Sequence, residues 1–328
     1  MTRMGMGSCI SRKARKVRRA GLLPDWGLAF VLLLVMPLAL LAQPLNADVV
    51  YLQGSANPTF NLRFTELLQQ QLGPETEVRR FSSLQTFEGP PGPVITLGQE
   101  ALTRVLEAST QRQVLALLID SDTLAGVAEN SGIAISTIWY DPPLLRQALI
   151  GRTILPQASR MALLARPGDA GRYEPLLDEL ADYGIEARVF LVTGDDSLIP
   201  TLSRALSFGD FLLATPDDAI YNPRTIKHIL LTTYRRNRLV IGPSHAFIRA
   251  GVLASSYVPL PDYAARAAQY VREWQRTGNL PEPSYPDSFS IEINRQVARS
   301  LNLPLPDREQ IVEEVRALLR QSTMEVRP

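Results

Sequence analysis

The feature that most constrains this chain is an alternation. Short, wholly apolar runs keep trading places with longer segments of helical periodicity. Asp48 to Leu52 reads as a buried strand, and Phe60, Phe64, Leu67, Leu68 and Leu72 then line one face of a helix. Pro93 to Leu97 is a second strand, followed by Ala101, Leu102, Val105 and Leu106 at helical spacing. Val114–Ile119 and Ile133–Trp139 read as strands, and Leu144–Ile154 as a helix. Met161–Ala165 is a strand, and Tyr173, Leu176, Leu177, Leu180 and Tyr183 form a stripe before Gly184, a natural helix stop. The pattern continues with strands at Ala187–Val192, Phe211–Ala214, Leu239–Ile241, Val252–Ser255 and Phe289–Ile293. Helices are expected at Ile226–Tyr234, Tyr263–Trp274, Arg295–Leu301 and Asp307–Leu319.

Runs that are apolar on both faces belong in parallel sheets covered by helices on both sides. The count of about ten strands favours an α/β architecture of two Rossmann-like lobes with parallel sheets over one large sheet. Tyr140-Asp141-Pro142-Pro143 suits a crossing between lobes, and Pro281, Pro283 and Pro286 mark a second extended connection. The expected first lobe is 48–155 plus 252–280. The expected second lobe is 156–251 plus 285–321, with a tail at 322–328.

Residues 1–47 follow a different logic. Seven basic residues, Arg3 to Arg19, precede an apolar run from Gly27 to Ala42, and small residues precede Ala47 and Asp48. That is the layout of a secretory signal peptide, with cleavage after Ala47 or Ala42. The run is roughly 16 residues, against about 20 for a membrane span, which favours export with cleavage over an uncleaved anchor. The whole chain carries a net charge of +1. Without its leader it has 27 basic and 32 acidic residues, a net of −5, which gives no reason to expect nucleic-acid binding. The single cysteine, Cys9, lies in the leader.

Enzyme motifs are missing. The chain has no G-x-G-x-x-G after its first strand, no phosphate-cradling P-loop and no G-x-S-x-G elbow. Ser244 and His245 are neighbours in sequence, which does not place a base on a nucleophile's hydroxyl. Asp120, Asp122, Asp217 and Asp218 end strands, where acids commonly cap the next helix. Tyr234-Arg235-Arg236-Asn237-Arg238 places cations at a helix end, where they complement the dipole. No catalytic residue, metal site or cofactor is expected.

Several segments in order carry a family resemblance. These are Ile154-Leu155-Pro156 with Arg160 to Leu164, Tyr173 to Val192, and Phe211-Leu212-Leu213-Ala214-Thr215-Pro216-Asp217. Arg249 to Ala254, Asp262-Tyr263, and Ser290 to Asn294 with Ala298 and Leu301 to Pro304 complete the set. With a weaker likeness in the first lobe, the match spans residues 90 to 305. It resembles the ABC-transporter substrate-binding proteins related to tryptophan and tyrosine importers, with a type I periplasmic-binding fold. The resemblance implies a periplasmic protein that delivers a small molecule to an ABC permease. The alternative is a periplasmic ligand-sensing module acting on a membrane receptor. Two turns depart from the family. Its Thr-Pro-Ala turn is here Gly98-Gln99-Glu100-Ala101, and its Asn-Ser turn is Gly168-Asp169-Ala170-Gly171-Arg172. These turns lie where the family's ligand sits, so an aromatic amino acid does not simply carry over. At strand ends and the crossing, the expected ligand-lining residues are Gln53, Gly98, Gln99, Tyr140, Asp217 and His245.

Overall fold

The computed structural model describes residues 48–81, 89–108, 111–128 and 131–325. The expected leader at 1–47 lies outside them. Among the described residues, no helix is long and apolar enough to cross a membrane.

The first sheet contains β1 (Asp48–Gln53), β2 (Thr76–Arg80), β3 (Val94–Leu97), β4 (Val114–Leu117) and β5 (Ile135–Ile138), in the order β2-β1-β3-β4-β5. All its pairings are parallel. The residues between these strands supply α1 (Pro58–Leu72), α2 (Gln99–Glu107) and α3 (Ser121–Ala128). Asn57 caps α1 by accepting from the Phe60 N–H, with Pro58 at the first helical position, where its missing donor costs nothing. Strand alternation divides the core. Val50, Leu52, Ile95 and Leu97 pack on α1, while Val49, Tyr51, Val94 and Val114 pack against α2 and α3.

The second sheet has the order β11-β10-β9-β8-β6-β7. It is built from β6 (Arg160–Ala165), β7 (Glu186–Leu191), β8 (Phe211–Leu213), β9 (Leu239–Ile241), β10 (Ala254–Tyr257) and β11 (Ser290–Ile293). Only β11 runs antiparallel among the described pairings. One face is covered by α4 (Leu144–Ile154), α5 (Glu174–Asp182) and α11 (Arg308–Glu325), and the other by α6 (Asp195–Phe208) and α7 (Ile226–Arg235). Two short helices, α8 (Ala246–Ala250) and α10 (Arg295–Ser300), fill connections.

The long helix α9 (Leu260–Thr277) returns to the first lobe. Its Tyr263, Ala264, Ala267, Ala268, Tyr270 and Val271 are buried in one core with Phe64, Leu67 and Leu68 of α1. The chain therefore crosses between lobes three times, at residues 139–143, 258–259 and 278–289. The third crossing is pinned to β5 on the way: Trp139 N–H donates to Ser284 O (3.0 Å) and Ser284 N–H to Thr137 O (3.2 Å).

Three expected boundaries move. Residues 144–155 are expected in the first lobe, yet Ala148, Leu149, Ile150 and Ile154 of α4 pack with Met161, Leu163 and Phe211 of the second. The apolar face of α4 decides this, because the chain has already crossed at Tyr140 to Pro143. Residues 252–257 likewise belong to the second sheet, since β10 pairs with β9 and β11. The expected tail is helical as far as Glu325, with no breaker in its sequence before that residue. Eleven strands are present among the described residues, against about ten expected.

Candidate functional site

In parallel α/β sheets, backbone groups and loop side chains gather at the carboxyl ends of the strands. Here a cavity of about 400 Å³ collects such residues from both lobes. Ser121 is the first residue of α3, and Asp141, Pro142 and Tyr285 come from the first and third crossings. Arg166, Tyr173 and Asp217 come from the second lobe.

Charge at its centre is held internally. Asp217 follows β8 and is 9% exposed. Its Oδ1 accepts from the Ala219 N–H (2.9 Å) and its Oδ2 from Arg166 Nε (3.2 Å). Arg166, at the end of the neighbouring strand β6, also reaches Asp169 Oδ2 through Nη2 (2.8 Å). The hydrogen bond to Asp217 and the charges of both carboxylates raise the guanidinium above its ordinary pKa. Arg166 is half exposed, so solvent screens much of the attraction. The pair's consequence is geometric: a buried carboxylate has its partner in place and its orientation fixed.

Aromatic rings surround the crossings. Trp139 and Tyr285 lie with centroids 6.3 Å apart, and Tyr140 meets Tyr263 edge-on at 6.4 Å. Burial, and then the nearby Asp141 charge, push the hydroxyls of Tyr140 and Tyr285 above the usual tyrosine range. Rings with polar tips beside compensated charges suit a small solute that presents both a flat apolar face and hydrogen-bonding groups.

Of the six residues expected from the sequence, Asp217 lines this cavity. Gln53, Gly98 and Gln99 are brought together on the first lobe, because β1 and β3 are neighbours and Gln53 is in register with Thr96. Tyr140 stands on the first crossing, half exposed. His245 is exposed after β9, 3.5 Å from Glu292 with its ring tilted against that of Tyr257, and it is not among the residues lining the cavity. Sequence reasoning missed Arg166, Tyr173 and Tyr285. An arginine directly after a strand was the available signal for the first.

The other polar candidates have structural work. Asp120 caps α3, accepting from Thr123 N–H (2.7 Å) and Thr123 Oγ1 (2.8 Å). Arg236 donates to Ser203 O (3.1 Å) and Ser207 Oγ (3.2 Å) at the end of α6.

This arrangement of two α/β lobes, three crossings and facing strand ends is the type I periplasmic-binding-protein fold. Solved structures of that fold are similar to the chain. A ligand-free, open substrate-binding protein with adhesive properties from Clostridium difficile superposes with a TM-score of 0.62 at 11% identity, covering 80% of this chain and 97% of that one. An ABC domain from Streptococcus pneumoniae, in complex with L-Trp, gives 0.50 at 15% identity, covering 82% and 98%. No protein-family model matches the chain, and no curated protein does.

Proposed function

We propose that this chain is an exported, periplasmic solute-binding protein that holds a small molecule between its lobes and presents it to an ABC permease. The observation that carries the reading is the shared cavity at the carboxyl ends of two parallel sheets, beside the crossings that join them. Short crossings of this kind let two rigid lobes close on a ligand by small backbone changes. Asp217 and Tyr140 are the proposed contacts at the cavity and its crossing; Gln53, Gly98 and Gln99 provide the first-lobe wall, with His245 at the outer rim. The reading assigns no catalytic residue, metal or cofactor, and no nucleic-acid partner. The ligand need not be the L-Trp of the pneumococcal protein, because the turns that face it differ.

The test is native mass spectrometry of the purified full-length protein for a retained small molecule, followed by titration calorimetry against a metabolite library. The expected result is one solute bound at micromolar concentration or tighter, weakened at least tenfold by Asp217→Ala. A protein that carries nothing and gives no heat at millimolar concentrations of any compound is not a solute-binding protein.

A further inference from the structure

The second lobe carries a positive face away from the cavity. Between Ala219 and Pro261 the chain has no acidic residue, yet it holds Arg224, Lys227, Arg235, Arg236, Arg238 and Arg249. The chain beyond the leader is acidic overall, so this excess is local. Arg160 is the first residue of β6, whereas Arg166 of the cavity follows its last. The two therefore lie at opposite ends of the sheet, roughly 20 Å apart.

At the far end, an open pocket of about 520 Å³ is lined by Arg160, Ser203, Arg204, Ser207, Phe208 and Arg236, with no carboxylate in its wall. Arg204 donates to Thr201 Oγ1 (3.0 Å), and Arg236 to Ser203 O and Ser207 Oγ. Neither has a carboxylate partner among the described residues. Arg160 lies 3.9 Å from Asp210, which Arg238 shares at 3.8 Å. Beside the pocket, Arg188 is paired with Glu186 (2.6 Å). The guanidinium carbons of Arg160 and Arg188 stand 5.7 and 4.3 Å from the centroid of the Phe208 ring. A ring holds a cation without neutralising it, so the arginines still outnumber the carboxylates.

Helix dipoles explain only part of this face. Arg235 and Arg236 complement the C-terminal end of α7. Arg160 stands on a strand, and Lys227 lies in the first turn of α7, the end where the dipole repels a cation. Lys227, Leu231 and Arg235 fall at i, i+4 and i+8 along α7, and all three are exposed. Leu231 is 49% exposed, and Ile199, on the α6 that Arg236 ties to α7, is 40% exposed. Large apolar side chains held in water among cations fit a partner that takes both. A lone phosphate ion fills the pocket and leaves Leu231 and Ile199 wet. A lipid surface covers all of it, with headgroup phosphates on the arginines and the apolar side chains at the acyl boundary.

We propose that the outer face of α6 and α7 docks on an anionic phospholipid surface, with the Arg160–Arg204–Arg236 pocket taking a headgroup phosphate. The inference goes beyond solute binding and does not depend on it. Held this way, a binding protein searches for its permease along a surface rather than through a volume.

The test is flotation with vesicles of phosphatidylcholine containing about 30% phosphatidylglycerol, with pure phosphatidylcholine as the neutral control. Both the full chain and Ala47–Pro328, a compact unit by itself, are run, so that the basic leader does not supply the binding. The variants are Arg204→Gln, Lys227→Gln, Arg235→Gln and Leu231→Ser, all at exposed positions where the melting temperature is expected to hold. Arg299→Gln, exposed on α10, is the control of equal charge change. The expected result is binding to the anionic vesicles alone, weakened about fivefold by each cation removed from the face and lost in ~1 M salt. Leu231→Ser weakens it at unchanged charge, and Arg299→Gln leaves it unaltered. Binding of Ala47–Pro328 to neither vesicle, equal binding to both, an equal loss in Arg299→Gln, or parental binding by Leu231→Ser overturns the proposal. So does binding of poly-L-glutamate or of glycerol phosphate without binding of vesicles, which assigns the face to an acidic protein or the pocket to a free phosphate ester. None of these results bears on the test for a retained solute.

Discussion

Replacing Tyr263 by phenylalanine tests how the first lobe presents its strand ends. Tyr263 lies in the first turn of α9 and is 2% exposed. Its hydroxyl accepts from the Leu118 N–H (3.1 Å) and donates to Ile138 O (2.7 Å), tying the end of β4 to the end of β5. Leu118 sits at φ +57, an uncommon conformation for a side chain branched at Cγ, so its turn needs an outside restraint. Tyr263→Phe keeps the ring and its packing but strands one donor and one acceptor. Each buried unsatisfied group costs about 1–3 kcal/mol, and Leu118 is only partly buried, so a loss of about 2 kcal/mol follows. In a folded unit spanning Ala47–Pro328 that corresponds to a melting temperature lower by ~3–4 °C. Urea denaturation gives the free energy and calorimetry the temperature. A loss below about 0.5 kcal/mol would show that the hydroxyl does not hold these strand ends, and the argument would fail.

Two further substitutions probe the core. Burial pushes the hydroxyls of Tyr221, Tyr234 and Tyr263 well above the usual tyrosine range. The folded state then keeps protons that the unfolded chain loses above about pH 10, so stability falls as pH rises past that point, by up to ~1.4 kcal/mol per pH unit for each tyrosine. Tyr221→Phe should make the alkaline decline of melting temperature shallower, and an unchanged slope would refute the assignment. Gly151→Ala should destabilise, although alanine is the better helix former. Its Cβ would lie 2.6 Å from the Phe211 ring, and overpacking of about 1–3 kcal/mol exceeds the ~1 kcal/mol gained in helix propensity. A variant more stable in urea than the parent would contradict that clash.

Much of the architecture was legible because the core strands of both sheets are buried on both faces and therefore apolar throughout. The exceptions follow from the same rule. β2, with sequence TEVRR, lies at a sheet edge and buries only Thr76, so no apolar run marks it. α6 carries Pro200 inside its length, a residue that normally signals a break. Around the cavity, strand ends were readable from the sequence but the pairings between them were not. Asp217 is marked by its place just after an apolar strand, whereas its partner Arg166 lies 51 residues earlier. The two meet because β8 sits beside β6 in the sheet, and that order is not written in local periodicity. The lobe boundaries shifted for a similar reason: which sheet α4 covers depends on where its apolar face finds a partner.

The return of α9 has a consequence for the order of assembly. The face of the first sheet that carries Val50, Leu52 and Ile95 is covered partly by α1, close in sequence, and partly by a helix that begins at Leu260. A ribosome making this chain finishes the first lobe's strands early, yet that lobe's core must wait until nearly the whole second lobe has been synthesised. The half that emerges first is the half that is completed late. The part of its apolar face that α1 does not cover stays open until then, and a fragment ending before Leu260 would keep it so.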